Sequence, residues 1–104
     1  MKEKTILFKS DVAHLITSKL GLPDVNFSTG SSEPRELFIL VAHCLAIDIS
    51  DVNTKPTIAR RIVESSGEIW LPNYESSGST VTMDGLKAVH SAVEFFLAGK
   101  PEIN

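Results

Sequence analysis

Helix start and stop signals recur along this chain, and they constrain its fold more than any other feature of the sequence. The start signals are small hydroxyl residues that can accept a hydrogen bond from a first helical turn: Ser10, Ser32, Thr54 and Thr82. Pro34 and Pro56 follow two of these signals, at positions where the missing N–H of proline does no harm. The glycines that can end a helix are Gly21, Gly67 and Gly99. This pattern predicts four helices and an all-α domain.

Apolar residues between these signals recur at helical spacing and predict the buried faces. They are Val12, Leu15, Ile16 and Leu20 in the first helix, Ile58, Ile62 and Val63 in the third, and Leu86, Val89, Val93, Phe96 and Leu97 in the last. The second segment continues to about Ile47 and is apolar nearly all round, which is typical of a central helix. We expect this helix to be the packing hub, with Cys44 as a small buried side chain.

Residues 68–80 show no clear periodicity, which is unusual for a connection in a small domain. We expect Trp70 and Tyr74 to anchor this segment to the core, and a short hairpin is compatible with its composition. The predicted fold is therefore a small four-helix domain with a long irregular loop before the last helix. The 104 residues suit a single domain over 1–104, either a whole protein or the N-terminal domain of a larger one.

Composition excludes several classes of protein. The formal net charge is -3, so any contact with nucleic acid requires a local basic patch rather than an overall positive field. The single cysteine, Cys44, excludes an internal disulfide and a thiolate zinc site within one chain. No apolar run reaches the roughly 18 residues of a membrane span, and the start does not have the pattern of a signal peptide. We therefore expect a cytoplasmic protein that does not associate with membranes.

No residue pattern predicts a catalytic site. The three histidines, His14, His43 and His90, lie on three different predicted helices and have no metal-binding spacing. The carboxylates are scattered and form no acid–base pair. The cluster of Ser, Gly and Thr at 76–80 lacks the lysine of a phosphate-binding P-loop. We therefore expect no enzyme activity, no metal and no cofactor.

A polar loop at residues 50–53 precedes a predicted helix that carries Lys55, Arg60 and Arg61. The N–H groups and dipole at a helix start favour a phosphate, and nearby cations strengthen the attraction. The candidate phosphate-binding residues are Ser50, Thr54, Lys55, Arg60 and Arg61. The alternative is that these charges form an ordinary solvated helix face, with Arg61 lying along the core.

The segment at about residues 41–62 resembles the helix–extended loop–helix motif of the SAP family. The matching positions are Val41 and Cys44 or Leu45 on the first helix, Ile49 for the leucine of a Gly-Leu pair, Lys55 for a lysine, Ile58 for the next apolar residue, and Arg61-Ile62 for the final Arg-apolar pair. Asp48 and Asn53 depart from the pattern, since glycine is usual at both places. The tract from 54 through 86 also resembles, more faintly, regions attached to restriction-type nucleases.

The resemblance implies DNA binding, because SAP motifs generally bind DNA and often serve as accessory modules of larger nucleic-acid enzymes and chromatin proteins. Our leading hypothesis is accordingly a nucleic-acid-binding accessory module, with DNA as the expected partner. The rival hypothesis is a protein-interaction or oligomerisation domain that does not bind nucleic acid. The acidic balance favours this rival, as does an apolar second helix that 104 residues cannot fully cover.

Overall fold

The computed structural model describes residues 9–23, 35–76 and 80–98, and within these ranges the chain is mainly helical. The elements in chain order are α1 (Lys9–Leu20), α2 (Arg35–Cys44), α3 (Lys55–Ser65), a 3-10 turn (Pro72–Tyr74), β1 (Glu75–Ser76), β2 (Thr80–Val81) and α4 (Met83–Ala98). The prediction of a small all-α domain with a long loop before the last helix is confirmed. The loop contains the 3-10 turn and a two-stranded antiparallel hairpin.

Two of the four predicted helix starts are confirmed by capping hydrogen bonds. Thr54 precedes α3 and accepts a hydrogen bond from the backbone of Thr57. Thr82 precedes α4, and its Oγ1 accepts a hydrogen bond from the Gly85 N–H at 3.2 Å. The prediction for Ser10 is wrong, because α1 begins at Lys9 and Ser10 already lies in its first turn. Ser32 and Pro34 lie outside the described residues.

The ends of α1 and α2 have the same pair of backbone hydrogen bonds, in which two successive N–H groups donate to carbonyls three and five residues earlier. At the end of α1 the N–H groups of Gly21 and Leu22 donate to the carbonyls of Ser18 and Thr17. The φ angle of Gly21 is 70°, as expected for glycine after a helix. This end is confirmed, as is the end of α3, where the φ of Gly67 is 93°. The predicted Gly99 lies outside the described residues.

The second helix ends three residues before the predicted Ile47. Ala46 has a φ of 59°, and the N–H groups of Ala46 and Ile47 donate to the carbonyls of His43 and Ala42. An alanine in this left-handed conformation gives no signal in the sequence, since glycine is the usual residue there. Cys44, the last residue of the helix, is exposed, so the prediction that it is buried is wrong.

The core lies between all four helices and the hairpin. Its buried apolar residues are Val12, Ala13 and Ile16 from α1, Leu37, Phe38, Val41 and Ala42 from α2, Ile58, Ala59, Ile62 and Val63 from α3, Leu86, Val89, Ala92 and Val93 from α4, with Trp70 and Val81 from the long loop. The prediction for the packing hub is wrong, because α4 packs against α1, α3, β2 and the 3-10 turn, whereas α2 packs mainly against α3 and α1. Leu15 and Leu97, which were predicted to be buried, are 37% and 49% exposed.

The long loop is anchored as the sequence predicts. Trp70 is buried, and its ring meets that of the half-buried Tyr74 edge to face, with centroids 5.2 Å apart. The indole N–H of Trp70 donates to Glu75 Oε2 at 2.8 Å, which ties the start of the hairpin to this aromatic pair. Within the described ranges, no helix is both long enough and apolar enough to cross a membrane.

Candidate nucleic-acid interface

The candidate site is built on α2, α3 and the connection between them, residues 45–54. Ile49 and Val52 of this connection are half-buried against the core. Arg35, in the first turn of α2, contacts Asn53, which lies two residues before α3. The connection therefore runs back along α2, so that the starting ends of α2 and α3 are neighbours. The two helices are thus joined by an irregular connection with a turn in it, where the Val52 N–H donates to the Ile49 carbonyl at 3.2 Å.

Arg61 holds the first part of this connection. Its Nη1 donates to the Asp48 carbonyl at 2.8 Å, and Nη1 and Nη2 donate to the two carboxylate oxygens of Asp51 at 3.0 Å each. This bidentate pairing is the geometry that a guanidinium favours with a carboxylate. The hydrogen bond from Arg61 lowers the pKa of Asp51, and the same bond raises the pKa of Arg61. A candidate phosphate ligand is thus already bound to a carboxylate.

Asp48 shapes the turn that follows it. The Ser50 N–H donates to Asp48 Oδ1 at 3.0 Å, and this hydrogen bond from Ser50 is the main reason why the pKa of Asp48 is lowered. Ser50 itself is exposed. Among the described residues other than glycine, Ala46 alone has a positive φ, so neither Asp48 nor Asn53 adopts a conformation that requires glycine. The two departures from the SAP pattern therefore carry no backbone strain.

Arg35 holds the end of the connection, and the sequence does not single it out. Its Nη1 donates to the Asn53 carbonyl at 3.0 Å and to Asn53 Oδ1 at 2.9 Å. The two residues are 18 positions apart, so no short-range pattern relates them. The only sequence signal is general: an Arg at the start of a helix can meet the end of an extended connection that returns to it.

The start of α3 is capped by the side chains of Thr54 and Thr57. Thr57 N–H donates to Thr54 Oγ1 at 3.4 Å, and Thr54 N–H donates in return to Thr57 Oγ1 at 3.1 Å. Pro56, buried in this first turn, has no N–H. The phosphate hypothesis relies on free backbone N–H groups at this helix start. Residue 56 provides no N–H because it is a proline, and the Thr57 N–H is already hydrogen-bonded. Lys55 is half-buried at the first helical position.

Arg60 is the most exposed of the candidate arginines. Its Nε donates to Glu64 Oε2 at 2.9 Å, and the two side chains are 58% and 45% exposed. An exposed pair of this type, four residues apart on a helix, is worth only about 0.3–0.5 kcal/mol. A stronger anion can therefore displace Glu64 from Arg60 with little loss.

One open cleft of about 260 Å³ connects these side chains. It is lined by Val52, Thr57, Arg60, Arg61 and Glu64. The four α3 residues fall on one helical face, because they are separated by three or four positions. The structure thus brings Arg60 and Arg61 together at the cleft, whereas Ser50, Thr54 and Lys55 lie on the loop and at the helix start rather than in the lining.

The histidines do not form a shared site. His14 lies next to Ser18 and His90 next to Glu94, while His43 is exposed at the end of α2. Over the part of the chain that the structure describes, no group of three or more His, Cys, Asp or Glu side chains has a metal-binding arrangement.

The fold and the site define a small helical domain in which two arginines of α3 line one open cleft. Comparison of the chain with known protein families, curated proteins and solved structures gives no match. The interpretation of residues 41–62 as a SAP-like motif therefore stays a prediction, based on residue spacing.

Proposed function

We propose that this chain is a small nucleic-acid-binding accessory module that contacts the phosphate backbone of DNA through α3 and the loop before it. The residues of the proposed site are those of the sequence hypothesis: Ser50, Thr54, Lys55, Arg60 and Arg61. Phosphate contacts of this kind position a protein on a duplex and carry little information about base sequence.

The observation that carries the proposal is that Arg60 and Arg61 line one open cleft on the exposed face of α3. A guanidinium can bind a phosphate with two parallel hydrogen bonds, as it binds a carboxylate. Arg60 faces solvent and is paired with Glu64 in a weak surface contact. A phosphate that enters the cleft can take the place of this carboxylate.

The charges around the cleft require that the binding is weak. The site contains three cations, Lys55, Arg60 and Arg61. Three carboxylates lie near them in the fold or in the sequence, namely Asp48, Asp51 and Glu64. The local charge therefore sums to about zero, and the whole chain adds a repulsive net charge of -3. We expect a dissociation constant on the order of 100 μM at physiological salt, at the weak end of the range of non-specific DNA binding. Such affinity suits an accessory module rather than an independent DNA-binding protein.

The test is a titration of the full chain with a short DNA duplex at low salt, followed by NMR. Amide signals of residues 50–61 should shift, and the logarithm of the affinity should fall with the logarithm of salt concentration with a slope of about -2 to -3, as for two to three phosphate contacts. The double variant Arg60→Gln, Lys55→Gln should lose most of the shift. Unchanged amide signals at low salt would exclude the proposal.

Self-association is the second candidate function, and a separate observation favours it. Phe95 and Leu97, near the end of α4, are 52% and 49% exposed although both are large and apolar. Exposed apolar side chains mark a surface that another protein covers when they form a contiguous patch, and a second copy of the chain is the occupant proposed here. Light scattering over a range of concentrations tests this candidate: a dimer that Phe95→Ser converts to a monomer supports it, and a monomer at all concentrations rejects it.

A further inference from the structure

We infer that Arg35 and Arg61 are positioning residues, which hold the 45–54 connection in the shape that the proposed site requires. The inference rests on the proposed function, because it divides the basic residues of that site into two groups. Arg60 contacts phosphate, and Arg61 acts through the loop instead. Arg35, which the sequence hypothesis did not include, completes the second group.

The two arginines hold the connection from two different helices. Arg61 projects from α3 and binds the Asp48 carbonyl and the Asp51 carboxylate, near the middle of the connection. Arg35 projects from α2 and binds the carbonyl and the side-chain oxygen of Asn53, near its end. Each guanidinium binds a backbone carbonyl and a side-chain oxygen. Arg61 uses both terminal nitrogens, which its planar set of donors suits better than a single ammonium does, whereas Arg35 uses Nη1 for both bonds.

The geometry at Arg61 favours positioning over phosphate binding. Both terminal nitrogens already donate to the Asp51 carboxylate, so that Asp51 occupies the place where a phosphate would bind with two hydrogen bonds. Arg61 is also less exposed than Arg60, at 34% against 58% for the side chains. A phosphate therefore reaches Arg60 more readily than Arg61.

The connection matters to the site because of what it carries. Ser50 lies on it, and Thr54 and Lys55 follow directly after Asn53. Its conformation therefore sets where Ser50 and Lys55 lie relative to Arg60. Release of either arginine contact should loosen this segment without removing a charge that touches DNA.

Hydrogen exchange in the free protein tests the holding role without any DNA. The reporters are the Ser50 N–H, bonded to Asp48 Oδ1, and the Val52 N–H, bonded to the Ile49 carbonyl. Arg35→Gln and Arg61→Gln should each accelerate exchange at these amides about two- to fivefold, the range expected for loss of an exposed charged contact. Arg60→Gln is the matched control, since its partner lies on its own helix, and it should leave the loop amides unchanged.

Arg61→Lys separates the shape of the guanidinium from its charge. Lysine keeps the positive charge but cannot reach the Asp48 carbonyl and both Asp51 oxygens with one planar group. We expect loop exchange as fast as in Arg61→Gln. Wild-type exchange in the lysine variant would show that charge alone is sufficient and would overturn the role given to the shape of the guanidinium. Unchanged exchange in Arg35→Gln and Arg61→Gln would overturn the positioning role itself.

The salt dependence of DNA binding then separates positioning from contact. Loss of a phosphate contact lowers the magnitude of the salt slope by about one, so Arg60→Gln should show this decrease. Arg35→Gln and Arg61→Gln should weaken binding about two- to fivefold at an unchanged slope. A reduced slope for Arg61→Gln would identify it as a direct contact and overturn the inference.

Failure of the inference and failure of the proposed function give different results. If the wild-type chain does not bind DNA at low salt, the proposed function fails, and the assignment of DNA contacts fails with it. The exchange rates at Ser50 and Val52 still decide whether Arg35 and Arg61 hold the loop. If DNA binds but exchange is unaffected, the proposed function stands and the positioning role is rejected.

Discussion

Thr54 and Thr57 satisfy each other's backbone N–H groups at the start of α3. Thr54 Oγ1 accepts from the Thr57 N–H, and Thr57 Oγ1 accepts from the Thr54 N–H at 3.1 Å. A reciprocal arrangement of this kind satisfies two donors that a helix start otherwise leaves to water. It also determines where the helix begins, and therefore the position of Arg60 and Arg61 about two turns later.

The first prediction concerns this cap. Thr54→Ala removes the side-chain acceptor and should lower the free energy of unfolding by about 1 kcal/mol, a typical cost for loss of a helix cap. Thr54→Ser keeps the hydroxyl and is the control, with stability close to wild type. Urea unfolding followed by circular dichroism measures both. Equal midpoints for wild type and Thr54→Ala would show that the cap contributes nothing.

The sequence predicts those features of the fold that depend on neighbouring residues. The caps at Thr54 and Thr82 are examples, because acceptor and donor lie within three positions of each other. The buried positions of α3 are another, since helical periodicity places Ile58 and Ile62 on one face. The central role of α4 could not be predicted in this way, because it depends on how whole helices pack.

The candidate site is predicted only in part, for the same physical reason. The positive charges of α3 are visible in the sequence, but their partners are not. Arg61 meets Asp51 across 10 positions and Arg35 meets Asn53 across 18. These contacts exist because the connection folds back along α2, and an unpaired basic cluster and a paired one look alike in the sequence.

The second prediction uses the left-handed residue at the end of α2. Ala46 has a φ of 59°, a conformation that glycine adopts more readily because it has no Cβ. Ala46→Gly should therefore raise the free energy of unfolding by about 0.5–1 kcal/mol. Ala88→Gly, inside α4, is the control and should lower it by about 1 kcal/mol. If both variants lose stability, the conformation of Ala46 is not the determining factor.

The third prediction concerns the contact between α4 and the hairpin. A Cβ at Gly85 would overlap the Tyr74 carbonyl oxygen and the Val81 side chain. Gly85→Ala should lower the free energy of unfolding by about 1–3 kcal/mol, as extra atoms do in a packed site, although alanine favours a helix more than glycine does. Ser91→Ala, at an exposed position of α4, serves as the control and should be as stable as the wild-type chain. Thermal unfolding measures both, and a stabilised Gly85→Ala would contradict the close packing.

The fourth prediction is a pH dependence of the α2–α3 connection. Hydrogen bonds lower the pKa of Asp48 and Asp51 in the folded chain, so both favour the folded state above the unfolded value of about 3.8. This contribution should be lost as the pH falls below about 4 and the carboxylates become protonated. Asp51→Asn should reduce the difference in stability between pH 5 and pH 3, measured by urea unfolding. Glu68→Gln, which removes an exposed carboxylate outside the connection, controls for net charge.

The last prediction addresses the competition between a carboxylate and a phosphate for Arg60. Glu64→Gln removes the charged partner of Arg60, which lies 2.9 Å away, and should strengthen DNA binding at low salt about two- to fivefold. The control is Glu94→Gln, which changes the net charge equally but releases Lys19 of the α1–α4 surface, where the ion pair measures 3.3 Å. Both affinities are measured by fluorescence anisotropy with a labelled duplex. The two variants have the same net charge, so any difference in affinity between them is local. A larger gain in affinity for Glu64→Gln would place the DNA at the α3 cleft, whereas equal gains would mean that the contact is not local to α3.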